Sequence, residues 1–84
     1  MRFGINKEQW DKLLESSEKV SSMPATVGNF LQYFSGIDKL GNFNMSYDIH
    51  SKTYSVGFND LLQSFESKEL IDAMFDLFCY LEDI

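Results

Sequence analysis

The sequence predicts a small α+β domain in the order α-α-β-β-α, with three helices laid on one face of a two-stranded antiparallel hairpin. Three observations lead there. Apolar residues recur at three- and four-residue steps in an early, a middle and a final stretch, the mark of amphipathic helices. Between the second and third of these, Phe43 to Phe58 alternates apolar and polar residues, the period of a strand with one buried face. Finally, the breaks at 21–24 and 36–42 are built from Ser, Pro, Gly, Asp and Asn, the residues that punctuate elements.

Met1–Ile5 alternates apolar and polar residues and is the candidate third strand of the sheet. The first helix is expected over 7–20. Asn6 is a good N-cap, Gln9 completes a capping box, and Ile5 and Trp10 stand at the staple positions. Trp10, Leu13, Leu14 and Val20 form its apolar stripe, while Lys7, Asp11, Glu15 and Lys19 alternate charge along the outside. Pro24 fits the first turn of the second helix, where a missing N–H costs nothing. Val27, Phe30, Leu31 and Phe34 are its buried stripe and Gly36 its αL cap, with Gly28 allowing close approach to the first helix.

In the hairpin, the alternation puts Phe43, Met45, Tyr47 and Ile49 on the same face as Tyr54, Val56 and Phe58. The expected register sets Ile49 against Tyr54, Tyr47 against Val56 and Met45 against Phe58, around a four-residue loop from His50 to Thr53. Asn59-Asp60 would then cap a short helix burying Leu61, Leu62 and Phe65. Ser67 would cap the long last helix, whose core stripe is Leu70, Ile71, Met74, Phe75, Phe78 and Leu81.

Eighty-four residues, 44% of them hydrophobic and eight of them Phe, suit one compact domain spanning 1–84. A single Cys rules out an internal disulfide and suits a reducing compartment. No apolar run approaches the ~18 residues of a membrane span, and the first residues lack the apolar run of a signal peptide, so a cytoplasmic location is expected. The net charge of −6 is lopsided: residues 1–42 carry five bases and five acids, residues 43–84 two bases and eight acids. Such a surface repels phosphate and disfavours direct nucleic-acid binding.

No cofactor signature is present. His50 and Cys79 are the one nucleophile–base combination, and they fall in a hairpin loop and a helix with no strained turn near either. Glu69, Asp72 and Asp76 share a helix face, but one helix cannot wrap a hard cation, and no calcium-loop pattern exists. The aromatic residues sit at core spacing rather than beside a basic groove.

What stands out is the polar side of the last helix. Glu69, Asp72, Asp76, Tyr80 and Asp83 share it, and no base follows Lys68, so like charges neighbour each other without i,i+4 relief. A solvated face kept acidic for solubility explains this. So does a surface for a basic partner, with Glu69, Asp72, Asp76 and Asp83 standing where that partner expects phosphates and Tyr80, Tyr47 or Tyr54 as aromatic anchors. In size and charge, with no shared motif, the chain resembles phage-encoded inhibitors of host defence nucleases and toxin-immunity proteins. The expectation is therefore a non-enzymatic inhibitor that masks a basic, nucleic-acid-handling protein. The other reading is an assembly module, in which surplus apolar surface at Leu77 and Ile84 forms a homodimer or hetero-complex face.

Overall fold

The computed structural model describes residues 1–20 and 22–84; Ser21, the first residue of the expected break, lies outside them. Six elements follow one another: α1 (Lys7–Glu15), α2 (Val27–Ser35), β1 (Phe43–Asp48), β2 (Thr53–Phe58), β3 (Phe65–Ser67) and α3 (Leu70–Glu82). The α+β class is as the sequence predicts, and the order gains one strand. The sheet runs β1-β2-β3, antiparallel throughout.

The third strand is not Met1–Ile5. That segment pairs instead with the lead-in to α2: Ile5 N–H donates to the Ala25 carbonyl at 2.9 Å and Val27 N–H to the Phe3 carbonyl at 2.8 Å. Nor do residues 59–65 form a helix. Asn59 and Asp60 donate their N–H groups to the carbonyls of Asn42 and Leu40, so these donors are tied to a neighbouring segment, and Phe65 begins β3. That close approach requires Gly41, whose φ is +79° and where a Cβ would lie 3.1 Å from Asn59 Cβ.

Helix α1 opens on the capping box read from the sequence, with Gln9 N–H on Asn6 Oδ1 at 2.8 Å and Asn6 N–H on Gln9 Oε1 at 2.9 Å. It stops at Glu15, short of residue 20, and only Leu13 of its stripe is fully buried; Trp10 and Leu14 stay substantially exposed. For α2 the cap is Thr26, with Pro24 buried ahead of the helix. Gly36 ends α2 in a right-handed conformation and so does not serve as an αL cap.

The hairpin keeps its predicted facing but shifts register by two residues, and only the β2 half of that face is buried. Val56 and Phe58 are buried and Phe43 and Tyr54 partly so, whereas Met45, Tyr47 and Ile49, expected in the core, are exposed because α3 packs on β2 and β3. Phe43 opposes Phe58, Met45 opposes Val56 and Tyr47 opposes Tyr54. A two-residue slip preserves the face, so alternation alone cannot tell the two registers apart. The turn decides. Asp48 Oδ1 accepts the His50 N–H at 2.9 Å and Lys52 adopts φ +57°, closing a loop of residues 49–52. Packing agrees, because Phe43 and Phe58 then meet each other at 5.5 Å and Phe34 at 4.9 and 5.9 Å.

Helix α3 is the centre. Leu70, Ile71, Ala73, Met74, Phe75, Leu77, Phe78 and Cys79 are all buried, which surrounds most of the helix circumference. It packs on β2, β3 and α2. Phe30 of α2 sets its ring edge-on to Phe75 and Phe78, and Lys12 of α1 lies 5.9 Å over the Phe75 ring. The opposite face of the sheet, Asn44, Ser46 and Asp48 in β1, is polar and exposed.

Gly28 meets nothing but Thr26 Oγ1 at 3.9 Å where a Cβ would stand, so it does not mediate close helix packing. Replacing Gly28→Ala is therefore expected to stabilise the fold by about 0.5–1 kcal/mol, read as a higher urea midpoint at unchanged slope.

Candidate protein-binding face

The polar side of α3 carries every candidate site residue, and the fold divides them into two groups. Glu69 and Asp72 are engaged within the chain. Arg2 grips Asp72 with both guanidinium nitrogens, Nη1 to Oδ2 at 3.2 Å and Nη2 to Oδ1 at 3.1 Å. Its backbone N–H also donates to Glu69 Oε2 at 2.9 Å. Gln9 joins the cluster, donating from Nε2 to Asp72 Oδ1 at 2.8 Å while its Oε1 accepts from Arg2 Nη2 and caps α1. The base that relieves these acids thus comes from the other end of the chain, beyond the reach of any helical-spacing rule.

This arrangement also changes the start of α3. Ser67 lies in β3, and Glu69 takes the N-cap position without a capping hydrogen bond from its own side chain. Its carboxylate is directed at Arg2 instead.

Asp76, Tyr80 and Asp83 form the second group, one turn apart along α3, and all three are exposed. Among the described residues none has a base within salt-bridge distance. Partial burial pushes the Asp76 carboxyl up, the Asp72 carboxylate adds to that, and Lys12 opposes both. Tyr80, 48% exposed, rests its ring on Phe65 of β3 at 5.5 Å, which holds the phenol at the surface in one place. Asp83 closes the helix in the left-handed region, φ +58°, a conformation Asp tolerates better than most residues.

At the same end of α3, Tyr33 donates its hydroxyl to Glu82 at 3.0 Å. Burial first, then the Glu82 carboxylate, holds the Tyr33 phenol far above its ordinary range, so it remains a neutral donor. Tyr47 and Tyr54, the alternative anchors, face each other at 4.7 Å on β1 and β2. Cys79 is buried in α3, and burial pushes its thiol up, while His50 stands exposed in the β1–β2 loop. Among the described residues, no three His, Cys, Asp or Glu side chains converge as metal ligands would. No helix among the described residues is long and apolar enough to cross a membrane. A shallow concavity of about 430 Å³ beside α2 is lined by Ser22, Met23, Pro24, Asn29, Gln32 and Tyr33. It contains no ionised group, and Asn29 Oδ1 already accepts from Ala25 and Thr26.

Compared with known proteins, the chain matches no family model, no curated protein and no solved structure.

Two outcomes follow from this geometry. Asp72→Asn removes the charge and one acceptor from the Arg2 clamp and should loosen the Met1–Ile5 segment by roughly 1 kcal/mol, the half-open setting discounting the ion pair. Hydrogen exchange at the Ile5 and Val27 amides should quicken about fivefold, with core amides of α3 unchanged. For Asp76, a carboxyl raised by the fold makes its charged form the disfavoured one in the native state. Its contribution is neutral in acid and becomes destabilising as pH rises through the raised pKa. Asp76→Asn should therefore raise the thermal midpoint at neutral pH and leave it unchanged below the carboxylate range.

Proposed function

We propose that this chain is a small protein-binding domain, not an enzyme, which masks a basic surface on another protein. The carrying observation is Tyr80, half-exposed and seated on Phe65, with exposed carboxylates one turn to either side at Asp76 and Asp83. An aromatic ring fixed by its neighbour loses little freedom on binding, and aromatic residues dominate the energetics of small interfaces. The flanking carboxylates, on the half of the chain that holds the −6 charge, supply steering toward a cationic patch. A protein that handles nucleic acid presents such a patch, with the spacing of its cations set for phosphates. Inhibition by occupying that patch is the mode of action, as in phage-encoded anti-defence or immunity-type proteins. Glu69 and Asp72 support the face by fixing the start of α3 and are not its contact residues.

The assembly reading, a homodimer or hetero-complex through α3, draws no support from the two residues that suggested it. Leu77 is fully buried, and Ile84 packs against the core, so neither is surplus surface.

The test is affinity capture from the native host with the tethered chain at about 0.05 and 0.5 M salt, the captured protein then being purified and its binding measured. Binding should weaken at least about tenfold over that range. Tyr80→Ala, and Asp76→Lys combined with Asp83→Asn, should each weaken it by about 2 kcal/mol or more. Asn is chosen at 83 because it keeps the left-handed cap. A partner whose affinity ignores both salt and these substitutions would overturn the assignment.

A further inference from the structure

We propose that β1 is a self-association edge, at which a second copy of this chain pairs antiparallel about a two-fold axis at Ser46. The inference rests on the opposite edge of the sheet from Tyr80 and does not depend on the role given to that residue.

The two edges of the sheet are built differently. β3 is three residues long and carries Glu66 at its middle with Lys68 just beyond, the usual means of keeping an edge from pairing. β1 is six residues long and contains no Pro, no Lys and no bulge; its six pairs with β2 are continuous. Backbone alternation shows which of its groups are open. Asn59 N–H donates to the Asn42 carbonyl, marking that pair as hydrogen-bonded. Continuing the antiparallel pattern turns the amide groups of Asn44, Ser46 and Asp48 toward β2 and leaves those of Phe43, Met45 and Tyr47 pointing outward.

The side chains of this edge are apolar and uncovered. α3 lies over β2 and β3, and α2 reaches only the Phe43 end through Phe34. Met45 and Tyr47, which oppose Val56 and Tyr54 on the helix side of the sheet, are consequently 50% and 47% exposed, and Ile49 at the start of the loop is 71% exposed. Single exposed apolar residues are ordinary, but two alternate ones on an open strand edge, with a third where the strand ends, are not.

A second copy is the occupant because the strand is complementary to itself. Residues 43–49 read Phe-Asn-Met-Ser-Tyr-Asp-Ile, apolar and polar positions mirrored about Ser46. Antiparallel pairing about that residue sets Met45 against Tyr47 of the second copy, while Ile49 begins the β1–β2 loop just beyond the paired stretch. Both lie on the helix side, and the outward amides of Met45 and Tyr47 are the ones required to pair. On the polar side Asn44 meets Asp48 of the second copy, an amide against a carboxylate, and Ser46 meets its own counterpart. No like charges oppose each other, and each apolar residue of the paired stretch finds an apolar one. An unrelated partner strand would not demand this mirror symmetry. The product is a six-stranded sheet with both helical layers on one side and the uncovered strip closed.

Sedimentation of the full chain from about 1 to 300 µM tests this. Association is expected to tighten as salt rises from about 0.05 to 0.5 M, because each copy carries −6. Ser46→Lys and Ser46→Glu lie on the exposed polar face, where they leave the monomer fold intact as judged by its circular dichroism and melting. Each should weaken association about fivefold or more by opposing like charges at the axis, and an equimolar mixture of the two should restore it. A chain that stays monomeric across the range overturns the proposal. So does a dimer indifferent to both variants, or a monomer whose β1 edge instead captures a basic extended peptide.

Discussion

Burial of α3 on nearly every side is the constraint from which the rest of the molecule follows. A thirteen-residue helix in a domain this small must be wrapped, because each fully buried Leu, Phe or Met side chain is worth roughly 1.5–3 kcal/mol only while water is kept out. The sheet covers it from below, α2 from one flank through Phe30 and Tyr33, and α1 adds Leu13 to the core and sets the Lys12 ammonium over the Phe75 ring. The covering elements are too short to be stable alone, so their positions are set by what α3 needs. β3, three residues long, exists because Phe65 must reach both Val56 and the flank of α3 at Tyr80.

The same constraint sorts the acids. A helix so deeply wrapped exposes only a narrow strip, and the N-terminal part of that strip is crossed by the Met1–Ile5 segment. Two carboxylates beneath a covering chain would be poorly solvated without a base, and Arg2 supplies both its backbone N–H and its bidentate fork. Further along the strip, among the described residues, neither Asp76 nor Asp83 has a base within salt-bridge distance, Lys12 acting on Asp76 only from farther off. A charge whose environment disfavours it, beside an immobilised aromatic ring, departs from what stability alone would select. Departures of that kind concentrate at functional surfaces.

Much of this was legible in the sequence, and the limits have physical causes. The capping box at Asn6 and Gln9, the burial of Phe30 and Phe34, the buried Val56 and Phe58 of β2 and the core side of α3 all depend on local spacing. Leu31, Met45, Tyr47 and Ile49, by contrast, stand exposed because spacing does not say which part of a face a neighbour covers. The hairpin register was not legible, since a two-residue shift leaves the apolar face unchanged and the Asx turn at Asp48 settles it. Residues 59–65 misled because Asn-Asp before two leucines looks like a cap, whereas their donors are claimed by Leu40 and Asn42. Within the candidate site, Tyr80 and its flanking acids were visible as a helix face. The clamp was not: no pattern within α3 can announce that Asp72 is paired with a residue 70 positions away.

The two surfaces also bear on one another. Tyr80 contacts β3 and the open strand is β1, so the sheet order places them on opposite edges. Pairing through β1 leaves the acidic face of each copy uncovered and repeats it across a two-fold axis. Two weak electrostatic contacts linked this way act with an effective concentration set by the rigid sheet between them. A partner presenting paired basic patches would then be held more tightly than either contact allows. The salt responses of the two surfaces have opposite signs, since screening weakens attraction to a cationic partner and relieves repulsion between two acidic copies. Intermediate ionic strength is therefore where both contacts coexist, and the dependence of partner affinity on chain concentration there separates avidity from a single strong site.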